Sequence, residues 1–77
     1  ELALLGQALL GPGHQLALYN LGTIFDELDE LDLALDLYRR ATAVPDAHFN
    51  LARICELRGD ELSARRHLRE YRRMLSI

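Results

Sequence analysis

Four carboxylates crowd one short stretch of this 77-residue chain: Asp26, Glu27, Asp29 and Glu30. Paired carboxylates are the material of general acid–base chemistry, which also needs a partner base within hydrogen-bond reach and a concave pocket. The surrounding sequence implies neither. These residues flank a turn, where solvation and helix capping account for them. The single cysteine, Cys55, excludes an internal disulfide, and Cys–His zinc-finger spacing is absent. The "GPG" at 11–13 follows no strand and is not a phosphate-binding loop. Arg65, Arg66, Arg69, Arg72 and Arg73 share one face of a predicted helix. Such a face serves either as a patch for nucleic acid or an acidic partner or as a solvated exterior. The apolar opposite face favours the exterior. The chain is therefore not expected to be an enzyme, and no cofactor or metal is expected.

The elements that position these residues are helical. Valine, isoleucine and threonine together number only six, and no stretch alternates apolar and polar residues for long, so strands are not expected. Apolar residues instead recur at intervals of three and four: Leu18, Leu21 and Phe25; Leu31, Ala34, Leu35 and Tyr38; Leu51, Ile54 and Cys55; Ala64, Leu68, Tyr71 and Leu75. Pro12 and Pro45 break the pattern, and Gly59 suits a left-handed helix end. Asp29 and Asp60 stand where helix N-caps belong. The spacing predicts five helices, over about 2–10, 14–28, 30–43, 46–58 and 61–75. Connections of two or three residues make neighbours antiparallel.

Charge is unevenly placed. The first 38 residues carry seven carboxylates and no arginine, whereas residues 39–77 carry all nine arginines against five carboxylates, and lysine is absent. A net charge of −3 argues against nonspecific nucleic-acid binding. An acidic end and a basic end favour head-to-tail contact with a second copy or with a bipolar partner. No apolar run reaches the roughly 18 residues of a membrane span. The opening "ELALLGQALLG" lacks a basic start, so neither membrane insertion nor a signal peptide is expected. A reducing, cytoplasmic setting fits the cysteine content. The start at Glu1 suggests a piece of something longer.

Two stretches repeat. Leu18, Leu21, Gly22 and Phe25 are followed by Ala34 and Tyr38; His48, Leu51, Ala52 and Cys55 are followed by Ala64 and Leu68. The spacings coincide at an offset of 30 residues, and "YNLG" aligns with "FNLA". This pattern resembles the tetratricopeptide repeat, W-x2-L-G-x2-Y, then A-x3-F, then P. Here it reads Leu18-x2-Leu21-Gly22-x2-Phe25, then Ala34-x3-Tyr38, then Pro45. "LLGQALLGP" resembles the second helix of an earlier repeat, so 1–13 reads as a partial repeat, 14–45 as one repeat and 46–77 as another. The period of 30 is shorter than the family's roughly 34, and Leu18 and His48 occupy the tryptophan position. "RGDELSA" resembles the family's interhelix turn.

The resemblance implies an all-α fold of antiparallel hairpins stacked as a right-handed superhelix. It also implies a protein–protein interaction function, with an extended peptide or partner helix in a concave groove. The groove residues it implies are Tyr19, Asn20, Thr23, Asp26 and Glu27 from one repeat and Phe49, Asn50, Arg53 and Glu56 from the next. Asn20 and Asn50 hold the same repeat position, and an amide can both donate to and accept from a peptide backbone. They could equally hydrogen-bond within the hairpins. The lysine-based clamp that holds a C-terminal carboxylate in the family has no lysine here. In the repeat arrangement the three histidines lie apart, His48 is a packing residue, and Cys55 is a buried thiol. Small residues at 22/34 and 52/64 are expected to face each other and let the helices cross closely, and Gly22→Leu is expected to overpack that crossing by about 1–3 kcal/mol.

Two units fall short of the three or so that repeat arrays need, so a homo-oligomer is a second expectation. The segment from Ala47 onward is also similar to repeats appended to larger bacterial proteins, including DNA-binding regulators of the MerR type. On that reading the chain is an accessory domain.

Overall fold

The computed structural model describes residues 14–76. The partial repeat expected over 1–13 lies outside them. The described residues form four helices: α1 (His14–Glu27), α2 (Leu31–Arg40), α3 (Pro45–Leu57) and α4 (Glu61–Leu75). They contain no strand. The helices pack in chain order: α1 on α2, α2 on α3, and α3 on α4. The result is two hairpin-like pairs, joined through α2 and α3.

The two hairpin turns are copies of each other. In the first, the amides of Leu28, Asp29 and Glu30 donate to the carbonyls of Ile24, Asp26 and Phe25 at 3.1, 3.0 and 2.9 Å. In the second, Arg58, Gly59 and Asp60 donate to Ile54, Glu56 and Cys55 at 3.1, 3.0 and 2.8 Å. Both are Schellman turns, which close the helix C-terminus around one left-handed residue. Gly59 takes that conformation at φ 81° without penalty. Asp29 takes it at φ 62°. Asp29 is therefore the left-handed residue that reverses the chain, not a helix cap. Glu30 stands at the N-cap of α2 and makes no side-chain cap bond. Asp60 does cap α4, its carboxylate accepting from the Ser63 amide at 3.2 Å, and those bonds hold its pKa below the usual carboxylate value. Asp29→Gly is expected to raise stability by about 0.5–1 kcal/mol, because a side chain in the left-handed region carries a steric cost. A lower denaturation midpoint in urea would count against the turn as described.

Helix α2 stops at Arg40, three residues before the expected limit. Pro45 is the cause, and it acts at the other end of the connection. It opens α3 as the first helical residue, where its missing N–H costs nothing. It also holds Val44 extended, at φ −103° and ψ 112°. The link 41–44 is closed by Val44 donating to the Ala41 carbonyl at 3.1 Å and by the Gln15 side chain accepting from the Ala43 amide at 2.9 Å.

One cluster of buried residues, Leu18, Ala34, Leu35, Tyr38, Ala41, Ala47, Leu51 and Ile54, runs from α1 through α3. A smaller one, Ala52, Cys55 and Ala64, with Leu68 against it, lies inside the second hairpin. Ala52 and Ala64 thus share one cluster, as expected. Gly22 does not have Ala34 as its nearest neighbour. A Cβ at Gly22 would meet the Tyr38 ring, at 2.7 Å from Cε1 and 2.8 Å from Cδ1. The glycine makes room for an aromatic face, not for another small residue.

Candidate interaction surface

The Tyr38 hydroxyl is a buried polar group with two side-chain partners. Tyr38 is fully buried on α2, so a phenol there needs partners. Its oxygen donates to Asp26 Oδ2 at 3.0 Å and accepts from Asn50 Nδ2 at 3.3 Å. Arg53 pairs with the same Asp26 oxygen. The network takes Asp26 from α1, Tyr38 from α2, and Asn50 and Arg53 from α3, and so joins the two hairpins. Burial, reinforced by the hydrogen bond to Asp26, pushes the Tyr38 pKa well above that of an ordinary phenol. The group stays protonated, as its donor role requires.

The nine residues implied for a groove divide accordingly. Asp26, Asn50 and Arg53 converge on Tyr38. Tyr19 is half-buried and packs its ring on Tyr38, with centroids 5.8 Å apart at 38°. Thr23 donates its hydroxyl to the Asn20 backbone carbonyl at 2.6 Å, and Asn20 is exposed. Glu27 is exposed at the end of α1. Phe49 is largely exposed and leans on Tyr71 of α4, with centroids 5.4 Å apart at 50°. Phe49, Arg53 and Glu56, with Ala52 and Leu68, line an open pocket of about 160 Å³. Arg58 of the α3–α4 turn reaches Asp32 of α2 at 2.7 Å, an exposed pair of small energetic weight.

Two features were missed in sequence. The Tyr38 hydroxyl is the first; a tyrosine at a core position, in place of phenylalanine, was the available sign. The second is the contact between His48 and His67, whose Nδ1 atoms stand 3.3 Å apart. His48 Nε2 lies 3.1 Å from the Thr42 carbonyl. A carbonyl only accepts, so His48 Nε2 is the donor there and its Nδ1 faces His67 Nδ1. These two histidines are not dispersed: α3 and α4 bring them side by side. Among the described residues no three His, Cys, Asp or Glu side chains converge as a metal would need. Burial holds the His67 pKa below its ordinary value, with His48, Arg66 and Arg39 adding to the effect and Asp60 opposing it. The unfolded chain therefore takes up the proton first. Stability from this group is complete above the unfolded pKa of about 6.5 and is lost as pH falls through the lower folded value. Melting temperature is expected to drop on acidification through that window, and His67→Gln is expected to flatten the slope. An unchanged slope in the variant would assign the effect to other groups.

Cys55 is buried. Burial and the nearby Asp60 push its thiol pKa up, against Arg39 and Arg58, which disfavours a reactive thiolate. The five arginines of α4 are all exposed, opposite Ala64 and Leu68. Among the described residues no helix is long and apolar enough to cross a membrane. Compared with protein families, curated proteins and solved structures, the chain finds no match.

Proposed function

We propose that the chain is a tetratricopeptide-like interaction module that holds an extended peptide along the side formed by α1 and α3, its hairpins following a right-handed superhelical path. The observation that carries this reading is the recurrence of one hairpin turn, with three matching hydrogen bonds, at a 30-residue interval. A repeated turn presents successive first helices at a constant offset, which is the geometry an extended ligand can follow. Asn20 offers a surface amide to a peptide backbone, and the Phe49 pocket offers an apolar seat. Arg53 is already paired with Asp26, whereas Glu27 and Glu56 are exposed carboxylates. The surface therefore suits a peptide bearing lysine or arginine rather than an acidic one.

The test is selection from a random peptide display library on the full 77-residue chain. Enrichment of basic sequences is expected, with binding weakened about ten-fold or more by Asn20→Ala combined with Glu27→Gln. No enrichment, or equal binding by the variant, overturns the assignment.

A further inference from the structure

The 30-residue repeat lets the contact inside the molecule be projected onto its two ends. Internally, α3 lays Ala47, Leu51 and Ile54 on the first hairpin, and all three are buried. The equivalent residues of α1 are Ala17, Leu21 and Ile24. Here Ala17 and Ile24 are exposed and Leu21 is half-buried. α1 therefore carries the stripe that α3 uses for docking, with no helix of the described residues in the matching place. At the other end, the second hairpin repeats the receiving surface. Leu68 stands for Tyr38, Tyr71 for Ala41 and Ala52 for Gly22, but Tyr38 and Ala41 are fully covered whereas Leu68 and Tyr71 are not. The 160 Å³ pocket opens there.

The polar contacts translate too. Asn50 over Tyr38 becomes Asn20 over Leu68, beside the pocket. Arg53 on Asp26 becomes Thr23 beside Glu56, a hydroxyl and a carboxylate. Arg58 on Asp32 becomes Leu28 opposite Leu62. Those two leucines are 64% and 71% exposed and have no place in either cluster of the monomer. Scattered exposed leucines need no explanation. Two that fall opposite each other under a rule set by other residues do.

We propose that a second copy of this chain docks head to tail, with the α1 stripe of one copy on the open α3–α4 face of the next and Leu28 of one against Leu62 of the other. Charge favours this occupant. The donor end exposes Glu27, Asp29 and Glu30 around Leu28, and the exposed Arg65 and Arg66 stand three and four residues after Leu62, on its side of α4, at the edge of the contact. The contact joins two different surfaces, so it adds copies head to tail, as an open row or, where the rotation per copy closes, a ring. The contact shares Asn20, Thr23, Glu56 and the pocket with the peptide-binding reading, so a docked copy and a peptide compete for that surface; the test positions Leu28 and Leu62 lie outside the nine residues assigned to the peptide.

The experiment is sedimentation equilibrium on the full chain, with Leu28→Asp and Leu62→Arg as separate variants and circular dichroism confirming that each stays helical. Both sites are surface positions, so folding is expected to survive. For the wild type, average mass is expected to rise about two-fold or more between roughly 10 µM and 1 mM. Each variant alone is expected to remain a monomer, because one lacks the donor end and the other the receiving end. Mixed in equal amounts, they retain one intact pair of surfaces and are expected to form a dimer and nothing larger. A wild-type chain that stays monomeric throughout overturns the proposal and leaves these faces to residues 1–13 or to a different protein. So do variants that still associate alone, or a mixture that does not dimerise. Peptide selection on the same two variants reads the groove separately, so failure of one reading does not imply failure of the other.

Discussion

Gly22→Ala is expected to destabilise the protein, although alanine is the better helix former by about 1 kcal/mol. The added carbon would arrive 2.7 Å from one Tyr38 ring atom and 2.8 Å from another. Neither atom is the loose end of a flexible side chain. The ring is fully buried, packed at a tilt against Tyr19, and tethered through its hydroxyl to Asp26 and Asn50. Overpacking of this kind costs about 1–3 kcal/mol, which less the helix-propensity gain leaves a net loss of up to about 2 kcal/mol, and Gly22→Leu is expected to lose more than that. For a domain of this size the alanine variant is expected to melt up to about 15 °C lower. The second hairpin supplies the control: it has Ala52 and Leu68 at the positions equivalent to Gly22 and Tyr38. Gly22→Ala combined with Tyr38→Leu is expected to lose less than the two single changes added together, by about 1 kcal/mol or more. Strict additivity in the cycle would mean that the glycine and the ring do not constrain each other.

Tyr38→Ala is expected to be the most damaging single change, at about 3–5 kcal/mol. It removes the ring that fills the first hairpin and the hydroxyl that joins α1 to α3. Tyr38→Phe separates the two contributions. Phenylalanine keeps the ring, leaves Asp26 with Arg53, and strands the Asn50 amide, for an expected cost of about 1–2 kcal/mol. Urea unfolding of both variants measures the difference. A phenylalanine variant as stable as wild type would show that the hydroxyl network contributes no net stability and that the ring alone matters.

What the sequence made legible follows from what is periodic in it. Helix positions came from apolar spacing, and the second hairpin's small-residue crossing came from Ala52 and Ala64. The break between α1 and α2 was also legible, but the role of Asp29 in it was not. An aspartate reads equally well as a cap or as a left-handed turn residue, and only the conformation it adopts separates them. The end of α2 was misplaced because Pro45 both stops one helix and starts another, and the residues between can belong to either. Gly22 was correctly read as room for a close approach, yet its partner was not, since Ala34 and Tyr38 lie one turn apart on the same face. The Asp26–Tyr38–Asn50–Arg53 network and the His48–His67 contact are invisible to periodicity. Both depend on how one hairpin is rotated against the next, a quantity the spacing of apolar residues leaves open.

The order of packing has a kinetic side. Each helix touches chiefly the one before and the one after it, so native contacts join residues close in the chain, which is the condition for fast folding. Among the described helices, α2 and α3 each have packed neighbours on both flanks. Their amides are therefore expected to exchange with deuterated solvent more slowly than those of α4, and the resilience of the described fold resides in its middle pair of helices.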